Sequence, residues 1–551
     1  MTTTASASDT TVPSADTRPT RRRRLGRVTV RVALAAASGL LLHAGFSPRP
    51  LWWVVPLAFA GLGLALHGRR WWGSAGYGFV FGLAFNLAHL VWIQDFLGAE
   101  FGPAPWLALS GALAVYIALA CALMPIVARL PGAPVWMALV FLLQESARMR
   151  WPFNGFPWGR VGFSQPEGAY LSLASLGGAP LVGFAVLVTG FGLAQLLVRI
   201  RATGLRPGRA WVTPVAAVLV PPLAGLAVWP TIDTDPENGT RTVAVVQGNA
   251  PDVGIGLLGQ RDTIRANHFA ESAELLDRIH SGELPRPDFV VWPETATDVR
   301  GTDPQLDALV DEFGVPALIG ALYQPPGSDL TENATLVWQP GDSPTGITDH
   351  YVKRELVPFA EYVPVRDIAS WFTPFVDNTR DMRWGDEATT LDVAGTPVGS
   401  VICYEVAYDY VARDTVDVGA QLLVTSTNNA WYGPGEMSHQ QLAMSRVRAV
   451  EHGRAVVVAA TSGISAIIAP DGTVTRSTSL YTDTSLVADV PLRGETTLSD
   501  RLGAWTEYAL VGAALAAMVA GFVLRSHTKK AATRADATEG EQHGRGDTAH
   551  G

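Results

Sequence analysis

Seven apolar stretches fill much of the first 229 residues, near 30–46, 51–67, 74–94, 104–129, 133–147, 170–200 and 211–229, and an eighth lies near 504–524. A helix crossing a bilayer needs about 20 apolar residues, so several of these stretches are comfortable and the one at 133–147 is short. A chain with 48% hydrophobic and only 17% charged residues has the balance of a membrane protein. Nucleic acid is excluded as a partner. The net charge is −9, and the one dense basic cluster, Arg21 to Arg24, flanks an apolar run instead of forming a patch.

Loop charges orient the spans, because cytoplasmic loops collect Lys and Arg. If every stretch crosses, Arg21 to Arg24, Arg69 and Arg70, Arg129, and Arg199, Arg201, Arg206 and Arg209 fall on one side, with Arg148, Arg150 and Arg160 as the exception. Eight crossings place both tails in the cytoplasm and the long insert outside. The expected organisation is a disordered tail at 1–27, a membrane domain with seven transmembrane helices at 28–230, an extracytoplasmic domain at 231–503, an eighth helix at 504–525 and a disordered tail at 526–551. Such a chain sits in the cell membrane as a multi-pass protein. A cleaved signal is the alternative for the first stretch, but no small-residue cleavage site stands out after Gly45, and removing that crossing reverses the charge sorting.

The insert alternates β-rich runs with helical patterns. Strands are expected at Val243–Gln247, Asp288–Trp292, Ala317–Leu322, Ala334–Trp338, Val398–Cys403, Leu422–Ser426, Val456–Ala460 and Ile464–Ala469, and helices near 259–280, 303–313 and 436–452. This is an α/β pattern. No internal repeat, metal-ligand spacing or phosphate-cradling glycine loop is present, so no cofactor and no metal are expected.

Only two cysteines occur, Cys121 in an apolar stretch and Cys403 in the insert, so no disulfide framework exists and Cys403 is a free thiol. Cys403 ends the apolar run Val398 to Ile402; taken alone, it reads as a small buried core residue. Trp292-Pro293-Glu294 ends another apolar run and, alone, reads as an ordinary turn. Residues 351–364, YVKRELVPFAEYVP, form a non-periodic stretch of charges, aromatics and prolines, suited equally to lining a cleft or to a solvated loop.

Together, Glu294, Lys353 and Cys403, in that order and in these local sequences, resemble the catalytic triad of the nitrilase superfamily. Thr425 to Trp431, Ser438-His439-Gln440-Gln441 and Arg446 to Glu451 are similar to later blocks of its membrane-bound branch, the apolipoprotein N-acyltransferases, and Phe156-Pro157-Trp158 with Gly162 to Gln165 resemble that branch between its fifth and sixth crossings. The resemblance covers most of residues 30 to 525. It implies a multi-pass α-helical membrane domain of eight transmembrane helices carrying an inserted nitrilase-type αββα sandwich. One departure is plain: familiar members often carry a tryptophan in the loop after the first strand, where this chain has Gly254, Ile255, Gly256, Leu257 and Leu258.

The resemblance implies that Cys403 takes a fatty acyl chain from a membrane phospholipid as a thioester and passes it to the N-terminal amine of the diacylglyceryl-cysteine of an apolipoprotein. The chemistry suits the residues. A thiol of ordinary pKa, about 8.5, needs a base, a role open to Glu294, and a positive neighbour such as Lys353 for the oxyanion. Glu361 and Glu405 match acidic positions the family uses around the triad, and Tyr404 stands with them as a supporting residue. Glu145 and Arg148 have the spacing of a helical ion pair, and His439 and Arg446 suit cleft or core. Two other readings remain: a membrane-anchored amidase or nitrilase-type hydrolase using the same triad, and a transporter whose outer domain binds ligand, disfavoured by the scarcity of charge within the spans.

Overall fold

The computed structural model describes residues 21–204, 208–257, 259–341, 346–370 and 381–546. The tail at 1–20, Leu258 and residues 547–551 lie outside the described residues. Every apolar stretch becomes helix: α1 (Arg21–Ala44), α2 (Val54–Leu66), α3 (Trp71–His89), then α4 (Trp92–Phe101), α5 (Ala104–Val127), α6 (Ala133–Arg148), α7 (Ala174–Thr203) and α8 (Val212–Val228).

By length and composition, fewer than eight of the described helices reach spanning size. Among the described residues five helices are long and apolar enough to span a membrane: Leu25–Ala44, Ala104–Val127, Leu171–Thr203, Arg209–Thr231 and Trp505–His527. A sixth results if α3 and the start of α4, bent by 51°, are one span. The 13 residues of α2 and the 16 of α6 make about 20 and 24 Å of helix against a hydrocarbon core of about 30 Å. Both apolar runs are curtailed at their ends, α2 by the turn through Pro48 and Pro50 and α6 by Pro131-Gly132 before it and Glu145 and Arg148 at its close. Those two charges form the anticipated pair, 4.0 Å apart and buried.

The insert folds as two stacked sheets. The first contains β1 (Thr240–Gln247), β2 (Phe289–Val291), β3 (Thr297–Arg300), β4 (Ala317–Gln324), β5 (Glu332–Trp338) and β6 (Ile347–Val352), with helices α9 (Arg261–His280) and α10 (Pro304–Phe313) on its outer face. The second holds β7 (Thr390–Val393), β8 (Thr396–Ile402), β9 (Leu422–Thr427), β10 (Val456–Ala460), β11 (Ala466–Ile468) and β12 (Val474–Ser477), covered by α11 (Asp409–Asp417) and α12 (Met437–His452). β13 (Thr484–Pro491) returns to pair antiparallel with β1. Val243, Val245, Phe289 and Val291 of the first sheet meet Val398, Ile402, Leu422 and Val424 of the second across an apolar core. The αββα layering implied by the resemblance is observed. After α13 (Leu498–Leu502) the chain re-enters the membrane half as α14 (Trp505–Gly546). The segment from 526, expected to be disordered, extends this helix to Gly546; its alanines, lysines and glutamates are good helix formers.

The second helical layer does double duty. Val411, Val416, Met444, Val447 and Val450 of α11 and α12 belong to one apolar cluster with Phe85, Phe141, Phe163 and Val182 of the membrane half. α7 accommodates α12 at a break where Gly178 takes φ +68°, and a Cβ there would lie 2.4 Å from the Glu451 carboxylate. That position requires glycine.

Strand ends set the site, and one glycine controls the first of them. A Cβ on Gly320 in β4 would stand 2.1 Å from the Pro293 carbonyl and 2.8 Å from Cα of Glu294. Gly320→Ala is expected to cost about 1–3 kcal/mol through overpacking. It should lower the thermal midpoint and displace Glu294, reducing turnover as well; a variant with wild-type midpoint and turnover would show that the strands absorb the methyl.

Candidate active site

Glu294 and Cys403 come from the two different sheets at the same end of the sandwich. β2 stops at Val291, and Trp292-Pro293 leads to Glu294 and to Thr295 at φ +49°. β8 stops at Ile402, and Cys403 opens a 3-10 turn, Cys403–Ala407, at φ +54°. A non-glycine residue in the left-handed region is strained by about 1–3 kcal/mol, and such strain collects at functional turns. Lys353 follows β6, its N–H donating to the Asn333 carbonyl at the start of β5 (2.8 Å).

The Lys353 ammonium lies between two carboxylates, donating to Glu294 Oε1 and to Glu361 Oε1 at 2.9 Å each, and is only 1% exposed. Asn333 Nδ2 donates to the same two oxygens, at 2.7 and 2.6 Å. Glu294 Oε2 accepts from the Asn428 backbone N–H beyond β9 (2.9 Å), and Glu361 Oε2 from the Val357 N–H (2.7 Å). The Cys403 thiol is buried, with Glu294, Lys353 and Thr427 as its electrostatic neighbours.

These contacts fix the charge states. Burial alone would raise the Glu294 carboxyl, yet Lys353, Asn333 and Asn428 hold it below its usual range. Burial likewise opposes charge on Lys353, but Glu294 and Glu361 raise its ammonium well above the ordinary value. Cys403 goes the other way: burial and then the Glu294 carboxylate push the thiol up to about 12, with Lys353 and Thr427 opposing. The resting site therefore pairs a neutral thiol with an ionised carboxylate and an ammonium.

Sequence reasoning named the cluster's charged groups and missed its connectors. Glu294, Lys353, Cys403 and Glu361 converge. Glu405 is fully buried but turned away from the cluster: its oxygens accept from the N–H groups of Ile402 (2.7 Å), Arg354 (2.6 Å) and Glu355 (3.1 Å) and from the Tyr351 hydroxyl (3.0 Å). It ties the nucleophile turn to the backbone after Lys353. Burial raises its carboxyl to about 7 against those hydrogen bonds. Tyr404 points into the membrane half, stacked 6.3 Å from Trp158 with its hydroxyl on the Gly155 carbonyl (3.4 Å). Arg446 reaches the Gly472 carbonyl (2.8 Å) and Glu167 (3.1 Å) and lies outside the cluster. Asn333 was legible only as a polar residue opening an apolar strand, and Asn428 acts through its backbone, which no side-chain pattern reveals. Where the loop tryptophan is lacking, Leu257 packs with Ala430 and Trp431, while Trp431 and Tyr432 meet Phe96 of α4 at 6.1 and 5.5 Å.

Alkylation of Cys403 by iodoacetamide, followed against pH in a Cys121→Ala background, should show no inflection near the ordinary thiol value of about 8.5. An inflection there would mean a thiol that titrates as if solvated. Glu405→Gln should cost about 1–3 kcal/mol in unfolding free energy, because the amide NH2 must face a backbone N–H that the carboxylate accepts. Chemical denaturation reads this directly, and unchanged stability would contradict the four-donor arrangement.

Residues 38–192 match the family model of the apolipoprotein N-acyltransferase N-terminal domain, and residues 266–498 match that of carbon-nitrogen hydrolases. The apolipoprotein N-acyltransferase of Mycolicibacterium smegmatis is 35% identical over 89% of this chain and 84% of its own length. That of Azotobacter vinelandii is 30% identical over 92% and 98%. Among solved structures, a carbon-nitrogen hydrolase from Helicobacter pylori G27 aligns with 15% identity and a TM-score of 0.34 over 46% of this chain and 89% of its own. With a relative this similar across most of both chains, and both halves matched by their own models, the chain belongs to the apolipoprotein N-acyltransferase family.

Proposed function

We propose that this chain transfers a fatty acyl group from a membrane phospholipid, through a Cys403 thioester, to the N-terminal amine of the diacylglyceryl-cysteine of an apolipoprotein, the last acylation of lipoprotein maturation. The observation that carries this reading is the seat of the nucleophile turn. Tyr404, beside Cys403, stacks on Trp158 of the membrane half, and Trp158 Nε1 donates to Gln440 of α12 at 2.7 Å. Contact between the nucleophile turn and the membrane half supports a reading with substrates that arrive in lipid.

The same proposal takes all eight apolar stretches as crossings of the cell membrane, with the unit at 231–503 outside, the membrane domain at 28–230 and the last span at 504–525. Arginine sorting between loops supports it. Short helices such as α2 and α6 are tolerated where the bilayer thins or flanking residues snorkel.

In the first half-reaction Sγ attacks the ester carbonyl of the phospholipid and its proton passes to Glu294. The carbonyl oxygen becomes an oxyanion beside the Lys353 ammonium. Collapse breaks the C–O bond, and Glu294 returns the proton to the departing lysophospholipid oxygen. In the second half the amine attacks the thioester carbon, Glu294 takes the amine proton, and the C–S bond breaks with the proton going back to sulfur. Glu361 and Asn333 hold Lys353 and Glu294 in place through both halves. The oxyanion donor contributes about 3 kcal/mol to such a barrier.

Purified enzyme incubated with acyl-labelled phospholipid should acquire a hydroxylamine-sensitive label at Cys403 that is absent from Cys403→Ala. A lipopeptide with a free amino terminus should discharge the label. Label persisting in the alanine variant sinks the nucleophile assignment, and equal discharge by water alone makes the enzyme a hydrolase.

A further inference from the structure

Behind the nucleophile turn, on the side away from Glu294, lies a buried charge network that joins the two halves of the molecule. Arg448 of α12 donates from Nε to the Val406 carbonyl (2.9 Å) and from Nη2 to the Ala407 carbonyl (3.2 Å), the last two residues of the turn that Cys403 opens. Asp409, two residues on, heads α11. Its Oδ1 accepts from Arg448 Nη2 at 2.8 Å and from Arg160 Nη1 at 2.6 Å. Arg160 belongs to the membrane half, in the segment joining α6 to α7. Both guanidinium carbons lie 5.3 Å from the ring centroid of Phe163, in the same segment. Arg448 Nη1 also pairs with Glu451, whose carboxylate rests against the Gly178 break in α7. Two arginines and two acids thus neutralise one another, with Arg160 and Arg448 side chains 3% and 1% exposed.

A single buried ion pair is weak evidence for stability, because desolvation offsets its attraction. Its geometric effect is another matter. The left-handed conformation at Cys403 persists only if the surrounding structure over-determines it. Glu405 holds the start of the turn through the Ile402 N–H, and Arg448 with Asp409 holds its end. Of the groups gripping that end, Arg160 comes from the membrane half.

We propose that Arg160 is a positioning residue: through Asp409 and Arg448 it sets the turn that aims the Cys403 sulfur, so that docking of the membrane half completes the catalytic geometry instead of merely anchoring the enzyme. The inference rests on the acyl-enzyme assignment above, and concerns residues outside the triad cluster.

The test uses full-length protein in phospholipid mixed micelles, in the Cys121→Ala background so that Cys403 is the sole thiol. Single-turnover labelling is followed against phospholipid mole fraction. Arg160→Ala should lower the limiting acylation rate about tenfold or more, as a small misplacement of a reacting group does, with the half-saturating mole fraction unchanged within about twofold. Arg160→Lys, which keeps the charge toward Asp409, should recover the rate to within about threefold of the parent. In an Asp409→Asn background, Arg160→Ala should add less than about twofold, because both act on one turn. A limiting rate within twofold of the parent, a loss confined to half-saturation, a lysine variant as slow as alanine, or losses that multiply in the double variant each overturn the proposal. If the parent itself acquires no phospholipid-derived label, the donor assignment has failed. Iodoacetamide alkylation of Cys403 in the same variants then decides the positioning role, with the same rate ratios expected and equal rates overturning it.

Discussion

The Lys353 ammonium, sealed between Glu294 and Glu361, is the contact on which the site depends. A lysine and two acids cannot be buried unless each meets the other's charge, so the two strand ends and the loop that carry them must converge. The bridge needs β2 to end where β6 ends and the loop after Lys353 to fold back eight residues later. Asn333 shares both carboxylate oxygens with the lysine and removes the remaining freedom. Burial, and after it the Glu294 carboxylate, keeps the thiol protonated beside an ionised carboxylate.

The turn at Cys403 is held with similar redundancy. Glu405 accepts from both the strand before it and the chain beyond Lys353, linking the two sheets directly beneath the sulfur. On the far side the membrane half takes over, through Trp158, Arg160 and Phe163. The outer helical layer of the sandwich is at once the cover of the second sheet and the dock for the membrane helices. A molecule built so has no clean border between its membrane half and its α/β domain.

Much of this was legible in the chain. All eight expected strands and all three expected helices of the insert occur within a few residues of their anticipated bounds, because each combines an apolar run with a turn signal. β3, β6, β7, β12 and β13 were not anticipated. They are short or polar, and β13 finds its partner β1 more than two hundred residues away, a pairing no local pattern encodes. The eight apolar stretches were legible too, but composition does not set how many residues stay helical, and α2 and α6 come out at 13 and 16 residues.

By itself the sequence determined the periodicities, the apolar runs and the order Glu294, Lys353, Cys403, since these depend on neighbours along the chain. It also carried enough family pattern to identify the chemistry. Only the tertiary structure decided that Glu361 touches Lys353 while Glu405 serves the turn, that Tyr404 faces the membrane half, that Asn333 and the Asn428 N–H meet Glu294, and that Arg160 pairs with Asp409. Two carboxylates in similar local sequences receive different work because burial and hydrogen-bond partners are assigned by segments far apart in the chain, and those meet only when the sheets stack and the membrane half docks.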